Sequence, residues 1–270
     1  MENLQVLVAT MRQKDLSLAE TMHITCPAIL ANQDGREEIL EDGHVKMITT
    51  ATRGVGKNRN IALAAATAEY LLFADDDVVY YDGLEDNVVK AFRENPKADM
   101  LVFGMDIVKN GVITEKRHLK PKRLHVWNAL RFGTYTLAVR RSSVERHNIV
   151  FHEKFGGGCP FSAGEDTLFI KHCFDAGLRV YTHPYVLGTC CKDVSSWFVG
   201  YNEKYFYDKG VLVRQLFPKT AYLMAPYFAV CFKRETSVGV WDRLKWVYTG
   251  VRNGKKMIPY GAHNEKDHHC

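Results

Sequence analysis

The chain has 270 residues, 46% of them hydrophobic and 25% charged, with a formal net charge of +5 at pH 7. A chain of this size buries roughly three quarters of the surface that its unfolded form exposes, enough for one large domain with or without an appendage. So small a positive charge excludes nucleic acid as the expected partner, and seven cysteines without a CxxC pair argue against a disulfide framework or a structural zinc site, leaving reduced thiols as the expectation.

In chain order, Met1 to Asn3 lead directly into an apolar run from Leu4, without the basic start and apolar core of a secretory leader, so a cytoplasmic protein is expected. Leu4–Ala9, Ala28–Ala31, Val45–Thr49, Tyr70–Ala74 and Met100–Phe103 read as strands, several of them continuously apolar and therefore covered on both faces. Between them, Lys57–Ala68 reads as an alanine-rich helix. Gly83–Asn95 reads as a second, started by an Asp82/Glu85 capping box and stopped by Pro96. This alternation predicts an α/β fold with a mainly parallel sheet flanked by helices, whose ligands gather beyond the carboxyl ends of the strands.

Lys116, Arg117, Lys120, Lys122 and Arg123 form a basic connector, read as a solvated loop in preference to a phosphate or membrane site. Thr134–Val139 follows as a further strand and Ser142–His147 as a short helix. Gly156, Gly157 and Gly158 suit either a tight turn or part of a lid that excludes water, and another helix is expected from about Thr167.

The basic end of the chain is its tail: residues 201–258 hold eleven Lys or Arg against four Asp or Glu. There Thr220–Phe232 is mostly apolar and bounded by Lys219, Lys233 and Arg234, and Trp241, Leu244, Trp246, Val247 and Tyr248 follow. The stretch is too short to span a bilayer, which needs about 20 apolar residues. It suits either the headgroup region of an anionic membrane or a helix that packs on the main domain with its aromatics as core. The expected division is a main domain over 1–212 and a basic, aromatic helical extension over 213–270.

Three features carry chemistry. Asp75, Asp76 and Asp77 end an apolar strand; carboxylates so crowded raise one another's pKa unless a cation neutralises them, and hard oxygen ligands suit Mg²⁺ or Mn²⁺. Glu165 and Asp166 form a second acidic pair at a loop-to-helix junction, which serves as a base or simply as a helix cap. Arg53 to Asn60 combines two glycines with three cations where a loop becomes a helix, a setting that favours phosphate, although it lacks the GxxxxGK[ST] spacing of a P-loop.

In this order, Asn32-Gln33-Asp34-Gly35, Arg53-Gly54 with Arg59-Asn60, Asp75-Asp76-Asp77 and Gly164-Glu165-Asp166 resemble the inverting family-2 glycosyltransferases of the GT-A fold, over roughly residues 4–200. The resemblance implies a metal-dependent transfer of a sugar from a nucleotide-diphosphate donor to a hydroxyl of a glycan or lipid-linked acceptor, in cell-surface polysaccharide synthesis at the inner face of a membrane. By it, Asp34 would contact the nucleotide base and Arg53 and Arg59 the nucleotide or its diphosphate. Asp75 would face ribose or metal, Asp76 would join the donor-binding set, Asp77 of the DxD motif would bind the metal, and Asp166 would be the catalytic base. The chain departs from the family pattern at Ala9-Thr10-Met11-Arg12, where a proline and an aromatic residue are usual, at Gln33 in place of an acid, and at Gly56 in place of serine.

Two alternatives stand beside this reading. Asp75, Asp77 and Val79 also fit the DxDx[TV] motif of haloacid-dehalogenase-type phosphatases, with Asp75 as nucleophile, and a catalytically inactive nucleotide-sugar-binding protein would keep the same residues. Downstream, His183 reads as a structural histidine and Trp197 as either a core or a sugar-stacking residue.

Overall fold

A computed structural model describes residues 3–191, 200–231 and 236–257. Strand β1 (Leu4–Met11) is buried on both faces, which its unbroken apolar run requires, and it lies at the centre of a parallel unit. It pairs with β2 (Ala28–Gln33) on one side and β5 (Tyr70–Asp75) on the other, and β4 (Val45–Thr50) extends the unit beyond β2. The registers place Met11 beside Gln33, Gln33 beside Thr50, and Ala9 beside Asp75. The segments that follow these strands, carrying Asp34, Arg53 and the aspartates, therefore leave the sheet at the same edge.

The strand order is β3-β4-β2-β1-β5-β10-β7-β11-β6, where β3 is Glu38–Asp42, β6 Val78–Tyr80, β7 Met100–Lys109, β10 Leu137–Arg140 and β11 Val180–Cys191. Strand β10 runs antiparallel between β5 and β7, and β3 and β6 are antiparallel to their neighbours at the two edges. The sheet is thus mixed, and the expected parallel character holds from β4 to β5 and again between β7 and β11. The basic connector is built into two exposed strands, β8 (Val112–Arg117) against β7 and β9 (Lys122–Arg123) against β11.

Helices cover both faces. Leu84, Val88 and Phe92 of α3 (Leu84–Glu94), with Leu18 and Ala19 of α1 (Ser17–Thr21), close one core. Ala62 of α2 (Val55–Ala65) and Phe169 and Ile170 of α6 (Glu165–Asp175) close the other. Between α3 and α6 lie the short helices α4 (Val126–Ala129) and α5 (Arg141–Arg146). The capping box expected at Asp82 does not form: Gly83, in the left-handed region, is the N-cap of α3, and Asp82 faces His23 at 3.6 Å. Helix α2 ends at Ala65 because Ala66 turns extended. The strand expected over Thr134–Val139 begins with a 3-10 turn at Thr134–Thr136 and becomes β10 only at Leu137. The one expected from Met100 continues past Phe103 to Lys109, because pairing with β8 and β11 carries it through Gly104 and Asp106.

A third layer consists of α7 (Glu203–Leu216), α8 (Ala221–Val230) and α9 (Val240–Gly254). Residues 212 and 213 both lie inside α7, so the helical layer begins with that helix and not at the expected boundary. Helices α7 and α9 cross at Gly210 and Gly250: a Cβ on Gly210 would lie 2.1 Å from the Val247 carbonyl oxygen, and one on Gly250 2.1 Å from that of Tyr207. Phe206, Val211, Leu216, Val247 and Val251 join Phe155, Phe161 and Leu168 in one buried cluster, which fastens the layer to the main domain. Among the described residues no helix is long and apolar enough to cross a membrane, and no two cysteines are joined in a disulfide.

Candidate active site

The carboxyl edge of the parallel unit gathers the site. Asp75 is the last residue of β5, and Asp76 and Asp77 form the turn into β6. Thr10, at the end of β1, donates its hydroxyl to Asp76 Oδ2 at 2.7 Å. The Cys190 thiol lies 3.6 Å from Asp77 Oδ2, and the Cys191 amide donates to the Asp77 carbonyl. Asp76 and Asp77 keep open surface at the cleft while protein still crowds their carboxyl groups. That crowding, with the charge of Asp75 beside them, raises both, Asp77 to about 6.

Arg59 joins this turn to the second acidic pair. Its guanidinium, 5% exposed, donates to Asp75 Oδ1 at 2.5 Å and to Glu165 Oε1 at 2.9 Å, and lies 5.5 Å from the centre of the Phe151 ring. Burial works against its charge, but the two carboxylates outweigh that effect and hold it more firmly protonated than usual. The ring beneath is itself locked, stacked on Phe169 at 4.2 Å and edge-on to Phe73 at 5.1 Å. Arg59 is therefore a buried brace between Asp75 and Glu165.

Glu165 and Asp166 open α6. Thr167 donates its amide to Asp166 Oδ1 at 2.6 Å and its hydroxyl at 3.2 Å. A helix N-terminus favours a carboxylate, yet burial and the neighbouring Glu165 charge prevail, and Asp166 is raised. The preceding loop is pinned by Asp208 of α7, which accepts from the Ser162 amide and hydroxyl at 2.9 and 2.8 Å. Gly156–Gly158 form a tight turn packed on α2. Gly156 has φ +100°, and a Cβ there would lie 2.4 Å from Val55 and 2.7 Å from Glu165.

Asp34 follows β2 and receives Lys14 at 2.6 Å and Arg36 at 3.3 Å; the Lys14 ammonium holds its carboxyl below the ordinary range. Gln33, standing where an acid is usual, donates to the Gly54 carbonyl at 3.1 Å and ties the end of β2 to the Arg53 loop. The start of α2 is not open to phosphate as its sequence suggests. The Val55 amide donates to the Gly157 carbonyl at 2.9 Å, and the Cys159 thiol sits against the same turn. Arg53 instead lines a cavity of about 540 Å³ with Lys57, His152, Lys154 and His172, and none of the five aspartates of the site borders it.

The arrangement thus joins Asp75, Asp76, Asp77, Glu165 and Asp166 through Arg59, and leaves Arg53 in a neighbouring basic cavity. Sequence reasoning passed over Thr10, Asp208 and Asn58, whose side-chain amide donates to the carbonyls of Thr10 and Ala31 and clamps β1 to β2. Only Asn58 left a trace, as an amide between two cations at the start of a helix. His183 is structural, paired with Glu94 at 3.7 Å and packed on Phe103, and Trp197 lies outside the described residues.

Asp77 has no cationic side chain as partner among the described residues, and burial together with the Asp75 charge raises its carboxyl group to about 6. Among the described residues no group of three or more His, Cys, Asp or Glu is arranged as a complete metal cage. This donor set fits an ion that takes one or two carboxylates and completes its shell with substrate phosphates, as Mg²⁺ commonly does.

The model of the family "Glycosyl transferase family 2" matches residues 31–149, which include Asp34, Arg53, Arg59 and the aspartate triplet but not Glu165 and Asp166. The crystal structure of S. aureus TarS 1–349 in complex with UDP-GlcNAc is 16% identical with a TM-score of 0.57, over 94% of this chain and 73% of that one. The corresponding UDP complex is 17% identical with a TM-score of 0.55, over 94% and 72%. The structure titled only S. aureus TarS is 18% identical with a TM-score of 0.58, over 87% of this chain and 44% of that one. At such identities the likeness establishes the fold. A comparison with curated proteins finds no match. The phosphatase alternative loses its ground here, because Asp75 is held by Arg59 and the triplet falls inside the glycosyltransferase segment. The mixed sheet, the acidic site at its carboxyl edge, the family match over residues 31–149 and the likeness to the TarS structures make this chain similar to the family-2 glycosyltransferases, with the GT-A fold.

Proposed function

We propose that the protein is a metal-dependent, inverting hexosyltransferase that moves a sugar from a nucleotide-diphosphate donor to a hydroxyl of a glycan or lipid-linked acceptor. Its setting in this reading is cell-surface polysaccharide synthesis, in the cytoplasm at the inner face of the membrane. The observation that carries the proposal is the Arg59 bridge, which sets the DxD turn and the Glu165/Asp166 pair on one guanidinium. Asp34, Arg53 and Asp76 hold the donor, and Asp77 with Asp75 would hold Mn²⁺ or Mg²⁺. When bound, the metal acts as a Lewis acid toward the negative charge that develops on the departing diphosphate. Arg59 keeps Asp75 and Glu165 in place beneath the reacting groups. Asp166 takes the proton of the acceptor hydroxyl as its oxygen attacks the anomeric carbon from the face opposite the leaving group, and a single displacement inverts that carbon.

The TarS complexes with UDP and UDP-GlcNAc recommend uridine donors as the first to try. A screen of sugar nucleotides by thermal shift, with and without Mn²⁺, should find one that raises the melting temperature only with the metal, because a ligand bound solely by the folded form stabilises it. Asp166→Asn should then abolish turnover of that donor, at a cost of about 10²- to 10⁴-fold, while its thermal shift persists. A screen in which no sugar nucleotide raises the melting temperature, with or without metal, would overturn the proposal.

A further inference from the structure

Helix α8 is packed inside out. Its buried positions are Ala221, Ala225 and Ala229, one small residue per turn, while Tyr222, Leu223, Tyr227 and Val230 are 52%, 80%, 62% and 43% exposed. Core packing takes the small residues and leaves the large apolar ones outside, the reverse of a helix whose outer face meets water.

The neighbouring helix continues the surface. Trp241, Lys245, Tyr248, Arg252 and Lys256 of α9 and the turn after it are all exposed, and their spacing sets them along one helical stripe in which aromatic and basic residues alternate. Tyr248 stacks on Tyr222 with ring centres 6.2 Å apart, which joins the stripe to the outer face of α8. From Pro218 to Met257 the exposed charged residues of the described structure are Lys219, Lys245, Arg252, Lys255 and Lys256 against Asp242 alone. Among them are large apolar side chains that a soluble monomer rarely gathers in one place.

We infer that this α8–α9 face beds into the headgroup region of an anionic phospholipid bilayer, with Leu223, Tyr227 and Trp241 inserted and the lysines and arginine on lipid phosphates. Aromatic rings with one polar end suit that depth, and cations flanking them suit a negatively charged leaflet. Protein partners recognise apolar faces too, but the excess of five cations over one anion around this one complements a phosphate surface. The inference deepens the membrane placement proposed above and adds its geometry. Helix α7 packs against α9 and, through Asp208, also pins the Ser162 loop that leads to Asp166.

Flotation of the 270-residue protein with vesicles of phosphatidylcholine alone, or with about 30 mole per cent phosphatidylglycerol, tests it without any donor or acceptor. The protein should float with the anionic vesicles, lose that binding in high salt and ignore the neutral ones. Leu223→Ser/Tyr227→Ser/Trp241→Ser should bind about tenfold more weakly with an unchanged melting temperature, since all three side chains are exposed, and Lys245→Glu/Arg252→Glu should match it. No flotation of the parent protein at low salt, equal flotation of the triple variant, or a parent dimer that the triple variant turns monomeric would each overturn the inference. Transfer to a soluble acceptor reads the catalytic proposal separately, so the two can fail independently.

Discussion

Replacing Arg59 by methionine distinguishes a buried brace from a donor ligand. The side chain is 5% exposed and serves two carboxylates, Asp75 at 2.5 Å and Glu165 at 2.9 Å, whose side chains are 35% and 13% exposed. Methionine fills most of the volume but strands both charges, and removing one partner of a buried ion pair typically costs about 3–5 kcal/mol because the other is left uncompensated. Asp75 has access to water and recovers part of this, so the lower half of that range is expected at pH 8. For a chain of this size each kcal/mol moves the melting temperature by roughly 2–4 °C, which gives a fall of about 6–15 °C. Arg59→Lys keeps the charge but cannot span both partners, and should fall between the parent and the methionine variant. Melting followed by circular dichroism at pH 8 measures the effect. A variant within about 1 °C of the parent at pH 8, with weakened donor binding, would refute the brace and return Arg59 to the phosphate role.

Three further outcomes follow from the site and the helical layer. With Asp166 raised to about 6 by burial and by Glu165, the base is ionised above that pH and protonated below it. The transfer rate in the parent enzyme should therefore fall as pH drops through about 6, and a rate flat from pH 8 to 5 would remove Asp166 from the role. Asp77→Asn should lose the metal-dependent part of the donor's thermal shift while the protein stays folded, because that residue is exposed at the turn and the change keeps its size, with the Cys190 thiol 3.6 Å from its Oδ2. At the crossing of α7 and α9, Gly210→Ala meets a backbone carbonyl 2.1 Å from its new Cβ, and overpacking of this kind costs about 1–3 kcal/mol or more; urea titration should show a lower midpoint, and an unchanged midpoint would mean that the helices part without cost.

Parts of this protein were legible without coordinates. Runs such as Leu4–Ala9 and Tyr70–Ala74 are apolar at every position, which only a strand covered on both faces satisfies, so β1 and β5 were evident locally. The aspartates at the end of one such run had to emerge where ligands of these sheets collect. Local pattern also announced the short helix after β10 and the turn at Gly156–Gly158. It could not foretell β10 running antiparallel between β5 and β7, because strand direction depends on the connection that returns the chain and not on the residues of the strand.

The roles within the site were settled by packing. Arg59 and Arg53 look alike in sequence, six residues apart in one cationic stretch. The fold buries the first on Phe151 between two acids and leaves the second in a basic cavity. Asp166 is a helix-start acid by sequence, and its raised pKa comes from the burial and the neighbouring charge that the loop pinned by Asp208 imposes. The aromatics of the tail divide the same way: Trp246 and Val247 turn inward while Trp241 and Tyr248 face out. Composition and periodicity determined the class of fold and the acidic motif, because both follow from the backbone's own repeat. Which charge is buried, which is paired and which apolar side chain meets solvent depend on contacts between residues far apart in the chain, 106 positions in the Arg59–Glu165 bond, and only the tertiary structure decides those.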